Sequence, residues 1–95
     1  MTPGPDYYRL ADGRQFYEYS RDELVPMCNG LDPWDVHCII SAAEHYFRMG
    51  AKEGEADTDL DAQDWWVNRA SSGAIQTTAR VLMQVKTERQ KVGRS

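Results

Sequence analysis

The sequence predicts a mostly α-helical fold, a small bundle of three to four helices preceded by an aromatic N-terminal loop or short β-hairpin. Three observations lead there. With 95 residues and 10.9 kDa the chain can close one core and not a second. From residue 33 onward apolar side chains recur every three to four positions instead of alternating. Residues that start or stop helices bracket these periodic stretches. A composition of 41% apolar and 27% charged residues is that of a folded chain, not a disordered one.

In chain order, Thr2-Pro3-Gly4-Pro5 excludes a helix, because proline lacks the amide donor and restricts the residue before it. Aromatic residues flank Asp12-Gly13, with Tyr7 and Tyr8 before and Phe16, Tyr17 and Tyr19 after, which suggests a hairpin. A loop laying the same rings on a helical body is the other reading. Either way residues 7–19 hold five of the ten aromatics, more than a two-stranded ribbon buries by itself, so they must cover something.

Ser20-Arg21-Asp22-Glu23 has capping-box spacing and would open a short helix around Leu24, Val25 and Met27, limited by Pro26 and ended by Asn29-Gly30. Asp32-Pro33 is the clearest helix start, a carboxylate cap before a first-turn proline. The core helix that follows carries Val36, Ile40, Ala43 and Phe47 on one stripe, widened by Ile39 and Tyr46, and stops at Gly50. After a connection at residues 51–57, Asp57 or Thr58 caps a third helix whose inner stripe is Leu60, Trp66 or Val67, and Ala70. Ser71-Ser72-Gly73 weakens it. Ile75, Ala79, Leu82 and Val85 or Lys86 continue a helical pattern to Val92, as one kinked helix with the third or as a separate one. The organisation is one domain over residues 1–95: an aromatic segment at 1–19, a helical body at 20–70 and a basic C-terminal helix at 74–92.

The net charge of −4 divides unevenly. Through Ala79 fourteen acidic residues face six basic ones; from Arg80 onward five basic residues face only Glu88. A basic end complements the negative terminus of a helix and can also steer a partner. The acidic body opposes phosphates, which disfavours nucleic acid as a direct ligand. No segment has the length and apolarity of a membrane span and no signal peptide is evident, so an intracellular, soluble chain is expected. Cys28 and Cys38 read as reduced, buried thiols.

Few residues are spaced for chemistry. The glycines fit no phosphate-binding loop, and no GxSxG elbow is present. His37 and His45 are eight apart, about 12 Å along a helix, too far to serve one small atom. Together with the cysteines they lack zinc spacing. The acidic series Glu53, Glu55, Asp57, Asp59, Asp61 and Asp64 is the densest charge feature. It reads first as helix-start solvation; Asp61 and Asp64, one turn apart, with Glu44 on the preceding helix also resemble the magnesium-binding carboxylates of all-helical nucleotide pyrophosphatases, or the series could imitate nucleic-acid phosphates toward a basic protein. Trp65-Trp66 is the most specific local feature. Adjacent helical positions diverge by about 100°, so Trp66 is assigned to the core and Trp65 to a shared helix contact or a partner surface.

The run Arg48-Met49-Gly50-Ala51-Lys52, followed by Asp59-Leu60 and Trp65-Trp66-Val67-Asn68-Arg69, resembles the SaV-like family of small bacteriophage proteins of unknown function. That family typically has a tyrosine-rich start, a helix ending Tyr-x-x-Arg-x-Gly-x-Lys, and a second helix reading Glu-Asp-Leu-Lys-Lys-Ala-x-Trp-Tyr-Leu-x-Arg. The likeness covers residues 6–69. Asp61 and Ala62 replace its paired lysines, His45 stands for a tyrosine and Glu44 for a lysine. The resemblance implies phage origin and the cytoplasm of a bacterial host. The same segment occurs in a podovirus nucleotide kinase without a Walker loop, which implies Arg48, Lys52 and Arg69 as phosphate contacts.

The expected function is that of a phage accessory protein binding and inhibiting a host protein stoichiometrically, in host takeover or anti-defence of the anti-CRISPR kind. Its contact residues would be Glu53, Glu55, Asp57, Asp59, Asp61 and Trp65, with no catalytic residue, no metal and no cofactor. Enzymatic activity is left open, with the balance against it. The alternative is a nucleotide-binding or nucleotide-kinase-related protein, in which Mg²⁺ would accompany the nucleotide. A chain this small also gains core from a subunit interface, so homo-oligomerisation is a second partner expectation.

Overall fold

The fold is organised by the helix that Asp32 starts. The computed structural model describes residues 6–51 and 54–94, so the expectation for Thr2-Pro3-Gly4-Pro5 lies outside them. The Asp32 carboxylate accepts the Trp34 backbone N–H at 2.9 Å, and helix α2 runs Pro33–Arg48 as the sequence indicates. It ends at Gly50, whose φ of 84° is left-handed backbone that a side chain disfavours.

Among the described residues there is no strand. Asp12-Gly13 does turn the chain, with the Leu10 N–H donating to the Arg14 carbonyl at 2.8 Å. Only a single bridge, Arg9 with Gln15, follows, and the expected second strand is instead α1, Phe16–Tyr19. The helix begins before Ser20 because Gln15 and Glu18 supply the same capping spacing earlier: the Glu18 carboxylate accepts the Gln15 N–H at 3.1 Å. Ser20 is therefore inside the helical segment, and Glu23 pairs with Arg14 instead. The segment widens to a π turn at Ser20–Leu24 and tightens to a 3-10 turn at Val25–Cys28, where Pro26 forbids further α-helix. Phe16, Tyr19, Leu24 and Cys28 are buried on it, and Phe16 stacks on Phe47 of α2 at 5.3 Å.

Helix α3 spans Ala56–Val67 and α4 spans Ile75–Lys91, separated by a 3-10 turn at Ser72–Ala74. They are two helices, each packed on α2. Part of each expected stripe turns inward, Ala70 against the core and Val85 within it, while the first residues of both stripes face out. In α3 the inward residue is Asp59, while Leu60 is 42% exposed. In α4 Thr78, Val81 and Val85 are buried, while Ile75 and Ala79 face out. The core joins Leu10, Phe16, Tyr19 and Leu24 to Ile39, Ala43 and Phe47 of α2 and Val81 and Val85 of α4.

The tail closes the other end of the bundle. Arg89, 3% exposed, donates from Nη1 to the carbonyls of Tyr46 (2.5 Å) and Met49 (2.6 Å). Arg94 donates to Phe47 (2.8 Å) and Tyr7 (3.2 Å). A helix leaves its last carbonyls without intrahelical partners, and two arginines from the far end of the chain satisfy those of α2. No helix among the described residues is long and apolar enough to cross a membrane.

Candidate functional site

Helices α2 and α3 pack with the start of one beside the end of the other, which divides the expected site residues between two ends. At the end of α2, Arg48 donates to Asp59 from Nε (3.0 Å) and Nη2 (2.5 Å), and to the Tyr8 hydroxyl at 2.8 Å. His45 Nδ1 lies 3.3 Å from the same carboxylate. Asp59 is 1% exposed. Burial pushes its carboxyl up; the hydrogen bonds and charges of Arg48 and His45 outweigh that and hold it below the usual carboxylate value. The Asp59 bond in turn raises the Arg48 guanidinium above its ordinary value. This cluster ties the N-terminal segment, α2 and α3 together. Asp59 is thus not part of an exposed acidic face, contrary to the sequence expectation, because the helix turns it into the α2 interface.

At the opposite end, Trp34, in the first turn of α2, meets the last turn of α3. Its indole N–H donates to the Arg69 carbonyl at 3.3 Å. Four rings gather there: Trp66 lies 6.2 Å from Trp34, 5.0 Å from His37 and 4.8 Å from Trp65 between centroids. The Arg69 guanidinium sits over the Trp65 ring at 4.1 Å. Trp66 is partly buried, but among the rings of this platform and not in the bundle core to which the sequence assigns it, while Trp34 and Trp65 remain 50% and 48% exposed. Buried Asp35 anchors the platform by accepting from Ser71 N (2.8 Å) and Oγ (2.6 Å), bonds that lower its carboxyl.

Asp57, Asp61 and Trp65 follow one another at i, i+4 and i+8 on α3 and are all exposed, so they share one face. Glu55 immediately precedes that helix. Glu53 and Lys52 lie outside the described residues. Of the three expected phosphate contacts, Arg48 is engaged by Asp59, and Arg69 stands beside Trp34, fourteen positions from Arg48 along α2. At 1.5 Å per residue that is about 21 Å, so the two arginines do not meet around one phosphate.

Trp34 and His37 are the members of this platform that the sequence does not announce. The only local signal is a large aromatic placed directly after the Asp-Pro helix start. No family model matches the chain, and neither the curated proteins nor the solved structures contain a match.

Proposed function

We propose that the protein is a phage-encoded accessory protein that acts in the cytoplasm of the bacterial host by binding a host protein and blocking it, one chain per target. The attribution to phage rests on the sequence resemblance of residues 6–69. The observation that carries the contact reading is the exposed face on which Asp57 and Asp61 lead into Trp65, with Trp34 and Arg69 beside it. Carboxylates speed approach to a basic surface, and rigid aromatic side chains supply affinity at little entropic cost. Trp and Arg are the residues most often found where binding energy concentrates. A basic surface made to hold nucleic-acid phosphates is the kind of target this face fits, and anti-defence inhibition of the anti-CRISPR type is the corresponding role.

The nucleotide reading, with Mg²⁺ and Arg48, Lys52 and Arg69 on phosphates, has no observation in its favour beyond resemblance, and the separation of Arg48 from Arg69 weighs against it. Affinity capture from a bacterial host lysate, with the wild-type chain and Trp65→Ala in parallel, tests the proposal. A protein recovered in equal amount with the wild-type bait and absent from the variant supports it. Equal recovery by both baits rejects the assigned face.

A further inference from the structure

Helix α4 carries two apolar stripes. Thr78, Val81 and Val85 are buried in the bundle, whereas Ile75, Ala79 and Leu82, with Met83 alongside, form a second stripe at helical spacing. Ile75 is 65% and Met83 67% exposed. Opposite, α3 presents Leu60, Gln63 and Val67, and the floor is Tyr46 of α2 and Met49 just after it. Since α3 and α4 pack on α2 and barely on each other, the groove between them stays open. Its residues are the stripes that helical periodicity places inside, so the sequence encodes more apolar face than one copy covers. The Gln63 Oε1 atom in its wall is buried with no hydrogen-bond partner among the described residues.

The groove's two sides also differ in charge. On α3, exposed Asp64 lies one turn from both Leu60 and Val67 at the margin of the groove, and α4 brings Lys86 into it. A surface with a carboxylate on one helix and an ammonium group on the other can match itself after a twofold rotation, which is the requirement for an isologous dimer. We propose that a second copy of this chain covers the groove. The two α4 helices lie antiparallel about an axis near Ala79 and Leu82, which brings Lys86 of each copy to the Ile75 end of the other. There Ile75 shares the groove wall with Val67, and Asp64 is one turn back from Val67 on α3. Lys86 and Asp64 therefore pair across the interface twice.

Sedimentation velocity of the full chain over a hundredfold concentration range tests this. A species of twice the 10.9 kDa chain mass is expected, and Ala79→Glu, at an exposed position, should leave only the single-chain species with its helical circular dichroism intact. Lys86→Glu and Asp64→Lys should each weaken association roughly tenfold, because symmetry removes two pairs at once, and the double exchange should restore it. Trp65→Ala should leave the dimer unchanged, which separates this surface from the host-binding face. A wild-type chain that is monomeric throughout, a larger open-ended series, a dimer indifferent to Ala79→Glu, or a double exchange no better than the single changes would each overturn the proposal.

Discussion

Arg89 Nη1 lies 2.5 Å from the carbonyl oxygen of Tyr46, 43 positions earlier in the chain. The contact gives the C-terminal helix a structural task, since its guanidinium replaces the hydrogen-bond donors that α2 lacks at its end. Burial lowers the basicity of Arg89, and lowers that of Arg94, where the neighbouring Arg89 charge adds to it. Both remain cationic, because arginine does not deprotonate in proteins. Arg89→Met should cost about 2–4 kcal/mol, as the buried Phe47 carbonyl and the partly buried Tyr46 and Met49 carbonyls lose a charged donor. Arg89→Lys should recover only part of that, since an ammonium does not reproduce the planar fork. Urea unfolding followed by circular dichroism measures both.

Asp59 and Arg48 make the second long-range tie. Removing the carboxylate charge by Asp59→Asn should destabilise the chain by about 2–3 kcal/mol at neutral pH. That is below the usual cost of breaking a fully buried pair because the Arg48 side chain is 26% exposed and can be rehydrated. The carboxyl titrates lower when folded than when unfolded, so its contribution is complete above the unfolded value and disappears as pH falls through the folded one. Wild-type stability should therefore drop below about pH 4, and the Asn variant should drop less steeply over the same interval. Melting temperatures from pH 7 to pH 2 test the sign.

Helix α2 was legible because its signals are local and agree: a capping aspartate, a first-turn proline, an apolar stripe and a terminal glycine. The start of α1 was obscured by competition between two capping sets five residues apart, of which Gln15 with Glu18 prevails over Ser20 with Glu23. The orientation of α3 and α4 was legible only at Ala70 and Val85, for a different reason. Periodicity selects the most apolar stripe, yet this bundle buries Asp59, Thr78 and Arg89, each with its partner contributed by another part of the chain or by the backbone one turn back. Sequence spacing cannot reveal that Arg48 waits for Asp59 or that α2 needs Arg89. Within the site, Trp65 and the acidic face could be read from helical spacing, whereas Trp34 joins them only through the packing of α2 on α3.

Asp35 links the start of α2 to the turn between α3 and α4. Asp35→Ala leaves the Ser71 N–H and hydroxyl without their acceptor and should cost about 1–3 kcal/mol. Because Trp34 is the next residue, the same variant should shift the tryptophan emission of the folded protein. Fluorescence-monitored urea unfolding reads both effects.

Cys28 and Cys38 are buried free thiols, and burial raises both above the ordinary thiol value. An aromatic disulfide reagent at pH 8 should titrate neither thiol in the folded chain and both in denaturant. Rapid reaction of either in the folded state would contradict the packing of Cys28 beneath Leu24 or of Cys38 on α2.

The face formed by Asp57, Asp61 and Trp65 should carry binding without carrying the fold. Trp65→Ala, at a half-exposed position, should cost about 1–2 kcal/mol through its lost contacts with Trp66 and Arg69 and leave the chain folded. The central claim is tested most directly by calorimetric titration of the purified captured protein with the wild-type chain and with Asp57→Lys/Asp61→Lys. The account predicts saturation at one chain per target, affinity that falls as salt rises, and loss of binding in the charge-reversed variant. Equal affinity of the two chains, or an interaction indifferent to salt, would contradict it.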